Sequence, residues 1–265
     1  MPYGLLLALA LLLVGCAEPP APEPESAAPS APALVTKADS VAMQVVAASG
    51  GFDAWHALPA LRFSFGVERG GEARVAARHL WDKQTGRYRV EWPGGADSTY
   101  TALFTAWPDS GRAYLNGEPL DGSAADVAMA SARSRTLNDT YWLLAPFKLF
   151  DGGVARTYAP DSSDAATDVI RLDFDGVGLT PGDRYWLFVD KESGQLTRWT
   201  FVLEGSTTPR SSTWTAYRSL SSPQGRVVLS ARKDVVGAPV TILTDELQAP
   251  AALDETWFTD PQPRL

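Results

Sequence analysis

Few residues in this chain of 265 could do covalent chemistry. Its one cysteine, Cys16, is a thiol nucleophile, and its two histidines, His56 and His79, are the side chains suited to acid–base work near neutral pH. A hydrolase needs a nucleophile within reach of a positioned base, and no G-x-S-x-G motif occurs. His79 falls mid-strand on the face of Trp81, a placement that suits a hydrogen-bonded core residue, and His56 falls in a short turn beside Trp55. Asp173, Asp175 and Asp183 flank the loop "GVGLTPG". Calcium takes six to eight oxygen ligands, but this spacing matches no EF-hand loop, and aspartates at strand ends ordinarily make turns. No catalytic residue, metal site or cofactor is expected. The chain reads as a binding or structural protein.

Cys16 has a different context. From Leu5 to Val14 every side chain is apolar or glycine-free aliphatic, which is too short for a membrane span of about 20 residues and the right length for a secretory core. The quartet Leu13-Val14-Gly15-Cys16 resembles the bacterial lipobox. That resemblance implies cleavage before Cys16, a lipidated thiol and membrane attachment through it. The leader "MPYG" departs from the pattern in having no Lys or Arg. Ala17 and Glu18 follow the cysteine, without the Asp that retains some lipoproteins in the inner membrane, so outer-membrane residence in a bacterial envelope is expected. Residues 1–15 are then a signal peptide, and residues 16–35 a lipidated cysteine and tether. The tether sequence "AEPPAPEPESAAPSAPA" cannot bury enough surface to fold. As semi-extended chain it would reach up to about 50 Å from the bilayer.

Residues 36–265 read as one domain, because no second Pro-rich linker interrupts them. With Cys16 lipidated no disulfide can form, so the core alone must stabilise an exported fold. The formal net charge of −8 argues against nucleic acid as a partner. A monomer is expected.

Hydrophobic spacing places the elements. "TKADSVAMQVVAASGG" has a helical period with a cap at Thr36, and Asp53 caps a short turn ending at Pro59. The period then changes to two. Val75, Ala77, His79 and Trp81 share one strand face; Tyr88, Val90 and Trp92 share another, with Arg87, Arg89 and Glu91 opposite. Leu137, Tyr141 and Leu144 mark a second helix, from about Ala124 to Ala145, which Pro146 should end. "VIRLDF", "RYWLFVD", "LTRWTFVLE", "STWTAYRSL" and "GRVVLSARK" return to strands. The sum is an α+β fold: a curled antiparallel sheet of about ten strands, with the helices on one face.

Two stretches, "LNDTYWLLAPFKLFDGGV" and "GLTPGDRYWLFVDKESGQLTRWTF", resemble the lipoprotein-localisation (LolA/LolB-like) superfamily. The tail with Phe258 and Pro261 adds to the likeness. The resemblance implies an antiparallel half-barrel, helices plugging its concave face, and a cavity that accepts acyl chains. Two departures stand out: the domain is longer than the soluble carrier, and it is tethered.

Phe63, Phe65, Trp81, Trp92, Trp107, Trp142, Trp186, Phe188, Trp199 and Trp214 fit that implication. Binding pockets are mostly apolar and aromatic. The same rings also fit an ordinary closed core, since each buries 150–250 Å², and spacing is compatible with both. On the first alternative, Trp142, Trp186, Trp199, Phe65 and Trp81 are the expected contacts for a lipid, an acyl chain or another apolar ligand. On the second, the protein is a structural or partner-binding lipoprotein.

Overall fold

In the computed structural model, which describes residues 34–95, 97–105, 110–176, 180 and 182–265, the first element is the helix α1 (Lys37–Ala48). Cys16, the segments on either side of it and Trp107 lie outside the described residues. Thr36 begins α1 with a capping box, its hydroxyl accepting from the Asp39 N–H while the Asp39 carboxylate accepts from the Thr36 N–H. Gly50 then takes a left-handed turn into α2 (Gly51–Ala57), where a Cβ would collide with the Arg226 carbonyl. Only glycine fits there.

Six strands follow: β1 (Ala60–Arg69), β2 (Glu72–Asp82), β3 (Arg87–Gly95), β4 (Ser98–Thr105), β5 (Ser110–Leu115) and the two-residue β6 (Glu118–Pro119). The long helix α3 (Gly122–Lys148) comes next, then β7 (Val154–Tyr158), β8 (Thr167–Phe174), β9 (Arg184–Asp190), β10 (Leu196–Val202) and β11 (Arg210–Thr213). The last strands are β12 (Thr215–Ser222), β13 (Gly225–Asp234) and β14 (Val240–Gln248), before a single turn α4 (Thr256–Thr259).

The strands are antiparallel, as the sequence implies, but they make two open sheets instead of one. Nine run in the order β12-β13-β14-β1-β2-β3-β4-β5-β6, and five in the order β11-β10-β9-β8-β7. Neither sheet closes into a barrel. The interruption falls inside "STWTAYRSL": β11 ends the small sheet, β12 starts the large one, and Trp214 is the residue at the corner. Across that corner the ladder shrinks to the bridge Ser212–Val235 and one bond from the Val236 N–H to the Ser211 carbonyl, 2.9 Å.

The helices pack on the inner faces of both sheets. Val41 and Val45 of α1 meet Ile170, Leu187 and Trp199 of the small sheet. Trp55 of α2 and Leu143, Leu144 and Phe147 of α3 meet Leu61, Phe63 and Phe65 of β1. The first half of α3 lies over β2 to β5 through Ala128, Met129 and Ala132. α3 does not stop at Pro146 but runs to Lys148. Proline removes one helical hydrogen bond, and the buried Ala145, Phe147 and Leu149 on either side hold the last turn in place.

The outer face of the large sheet is not simply solvated. Arg89 and Glu91 are buried beneath the C-terminal segment. The Arg89 guanidinium donates to the Trp257, Asp260 and Gln262 carbonyls, and the Glu91 carboxylate accepts from the Arg264 and Leu265 N–H groups at 2.9 and 3.0 Å. A period-two count places both residues correctly on the outer face. It carries no information that a tail covers them.

Candidate functional site: an aromatic interior and an open cleft

The five residues expected to contact ligand do not share one place. Trp199, on the inner face of β10, is wholly buried and lies between Trp142 of α3 (4.8 Å, 5°) and the corner residue Trp214 (5.4 Å, 14°). Tyr185 and Tyr141 close on its edges at 4.8 and 5.5 Å. Burial raises both phenols far above their usual range. Phe65 and Trp81 face the same interior from β1 and β2, alongside the cluster that Trp142 also touches. Trp186 does not join them. It pairs with Thr200 and Arg171, whereas Leu187 pairs with Trp199, so the pleat turns Trp186 to the opposite face. At this end the rings fill the space with one another.

The buried His79 is held on both nitrogens. Nε2 donates to Asp139 Oδ2 at 3.0 Å, a carboxylate being able only to accept, and the Tyr88 hydroxyl meets Nδ1 at 3.1 Å. Phe63 stacks on the ring at 4.5 Å. The order Asp–His–hydroxyl resembles a catalytic relay, but burial pushes the Tyr88 phenol well above its ordinary range, and this hydroxyl faces no solvent. The cluster ties α3 to the sheet. Sequence spacing identifies the face of His79 but not Asp139, a charge that helical periodicity alone would leave outside.

The open space lies at the other end of α3. A cleft of about 350 Å³ is lined by Trp92, Tyr100, Leu120, Ala124, Val127 and Ala128, with Ser123 and Ser131. Its floor is the Trp92–Tyr100 stack, 5.2 Å and 13°. A smaller cleft of about 230 Å³ continues past Leu120, with Arg112, Asp121 and Asp126 at its mouth. Alanines at 124, 128 and 132 recur every fourth residue and so share a helix face. They fill little of the space between helix and sheet. Bonds from α3 to the sheet, Arg135 to the Ala76 carbonyl (3.1 Å) and Asp139 to His79, lie at and beyond the helix midpoint. Val127, outside them, is 68% exposed. The one signal of this cleft in the sequence is the small-residue run "GSAADVAMASA".

Two of the three carboxylates flanking the glycine-rich loop are engaged elsewhere. Asp173 pairs with Arg171 at 2.8 Å, and Asp183 accepts from the Thr180 and Tyr185 hydroxyls and the Glu204 N–H. Among the described residues no three acidic, His or Cys side chains gather as a metal site. No described helix is long and apolar enough to cross a membrane.

No family model matches the chain, and no curated protein matches it. Solved structures do. A DUF1329 family protein from Desulfovibrio piger is 8% identical, over 83% of this chain and 96% of that one, with a TM-score of 0.48. A LolA superfamily protein from Nitrosomonas europaea is 10% identical, over 84% and 98%, with a TM-score of 0.43. A domain from Vibrio parahaemolyticus, described as an outer membrane lipoprotein-sorting protein domain, is 9% identical, over 83% and 94%, with a TM-score of 0.38. At these identities no site residue transfers from them.

Proposed function

We propose that this chain is a bacterial envelope lipoprotein, anchored in the outer membrane through Cys16, that holds an apolar ligand reversibly and performs no chemistry on it. The ligand class is the acyl chain of a lipid or lipoprotein. The observation that carries the reading is the cleft between α3 and the Trp92–Tyr100 floor. Its volume of about 350 Å³ lies within the range of small-molecule sites, about 300–1,000 Å³. It also borders a buried apolar sheet face, Val90, Ala102 and Phe104, roofed by small side chains. Lifting the first half of α3 would expose that face, and an acyl chain would cover it again at about 0.8 kcal/mol per buried CH₂.

Native mass spectrometry of the gently extracted full chain tests this. A bound species of lipid mass, lost on delipidation and regained on titration with palmitate or a diacylated peptide, is expected. Val127→Trp, which narrows the cleft from an exposed lining position, should weaken it while leaving the thermal midpoint within a few degrees. A clean unliganded mass that ignores both probes would sink the reading. The filled interior at Trp142, Trp199 and Trp214 favours the alternative in that case, a closed-core lipoprotein that works through its surface.

A further inference from the structure

Strand β9 carries large apolar side chains on both faces, and the core takes one set of them. Tyr185, Leu187 and Val189 point inward, toward α1. Arg184, Trp186 and Phe188 alternate with them on the outer face of the small sheet, where both rings are half-exposed. Register brings Arg171 of β8 beside Trp186, and Arg198 of β10 beside Phe188. The Arg198 guanidinium lies 3.6 Å from the Phe188 ring centroid. The acidic residues of this face are already engaged: Asp173 pairs with Arg171, and Asp190 accepts from the Ser193 N–H and hydroxyl. Arg184 and Arg198 have no carboxylate partner among the described residues. Two unpaired cations thus flank two half-exposed rings, on a chain whose formal net charge is −8.

The chain that leads from Cys16 joins the domain beside this same sheet. Lys37, at the start of α1, pairs with Asp168 of β8 at 3.1 Å, and Lys191, just past β9, reaches that carboxylate at 3.5 Å. Asp168 adjoins Val169, the cross-strand partner of Phe188. Leu34 and Val35, where the described residues begin, are exposed apolar side chains.

We infer that the outer face of the small sheet docks on an anionic bilayer surface, with Trp186 and Phe188 at headgroup depth and Arg184 and Arg198 against lipid phosphates. Tryptophan is favoured at the membrane–water interface because its ring is apolar and its N–H polar. Arginine adds attraction to anionic lipid and pairs readily with phosphate oxygens. The bilayer is the one that holds Cys16, so the inference rests on the anchoring proposed above. It adds the face that the domain turns to that membrane.

The full chain, extracted with its lipid, is reconstituted into phosphatidylcholine vesicles with and without phosphatidylglycerol. Flotation with the vesicles reads the anchor alone. Lipid brominated near the top of its acyl chains reads the face, because it quenches only tryptophan at the interface. Quenching is expected to be about twofold greater or more with phosphatidylglycerol, and high salt should remove the difference. Trp186→Phe should lower the quenching by about half or more. Trp257→Phe, half-exposed on the outer side of the large sheet, should leave it unchanged. Arg184→Gln together with Arg198→Gln should equalise the two vesicles. Flotation with no effect of Trp186→Phe, or with equal wild-type quenching in both vesicles, would overturn the inference and leave the face to a protein partner. Absence of flotation would overturn the anchored reading, and this inference with it.

Discussion

Asp139 of α3 and His79 of β2 meet at 3.0 Å inside the protein, with neither side chain open to solvent. Truncating Asp139 leaves the buried His79 Nε2 without a partner, while the Tyr88 hydroxyl still meets Nδ1, at a cost of about 1–3 kcal/mol. Asp139→Ala should therefore destabilise the chain by about that amount in urea titrations, and hydrogen exchange should rise along α3. Asp139→Asn keeps an acceptor at the same place and should cost less. Equal losses for the two variants would mean that the contact is packing and not a hydrogen bond.

Trp199 packs against four other aromatic side chains besides Phe201, so its removal opens a cavity inside a stacked cluster. Trp199→Ala should cost about 3–5 kcal/mol. Trp186→Ala, on the opposite and half-exposed face, should cost distinctly less. Denaturant midpoints of the two variants check the assignment of faces.

Arg89 joins the C-terminal segment to β3 through three carbonyls and to Glu91 through a 2.6 Å pair. Arg89→Met leaves Glu91 buried without its cation, a loss of about 3–5 kcal/mol. Exchange of the amides at residues 257–265 should become fast. Adding Glu91→Leu should restore part of the stability but not the protection of the tail.

Lys233 makes stability depend on pH. Its folded pKa, lowered by burial to about 7, lies below the unfolded value of about 10.4. Below pH 7 the folded chain carries the full penalty of a buried ammonium. Between about 7 and 10.4 the unfolded chain binds the extra proton, so stability should rise with pH, by at most about 1.4 kcal/mol per unit. Lys83, lowered by burial to about 8, acts in the same direction, so the contrast between wild type and Lys233→Met isolates Lys233. Parallel curves for the two would refute the assignment.

Asp39 acts at the acid end. Burial pushes its carboxyl up, but Arg156, the Thr36 hydroxyl and two backbone N–H groups outweigh this and hold it at about 2. A depressed carboxylate contributes stability above its unfolded pKa of about 3.9 that is lost as pH falls toward 2. Acid unfolding should begin in that window, and Asp39→Asn should flatten it.

Much of this architecture is legible in the residues. Thr36 and Asp39 announce α1 through a capping box, and alternation puts His79 and Trp81 on the buried face of β2. The same alternation carries Val227, Leu229, Ala231 and Lys233 to one inner face, although a lysine there argues against the count. Failures have physical causes. The corner at Trp214 breaks a run whose composition is uniformly strand-like, and Pro146 is tolerated because the residues around it are buried. Both outcomes depend on contacts made far along the chain. The cleft was least legible, being a gap left by alanines and not a pattern made by any side chain.

The pairing of β1 with β14 sets the order in which the chain can fold. β1 is made early and carries Leu61, Phe63 and Phe65, yet its register partner to one side, with Phe65 opposite Thr244, arrives near the end of synthesis. The small sheet is contiguous from β7 to β11 and needs no such wait. Local pairings form quickly and distant ones slowly, so the small sheet can assemble while β1 still presents an unpaired apolar edge. The long interval before β14 arrives is when a newly made chain would most need a holding partner.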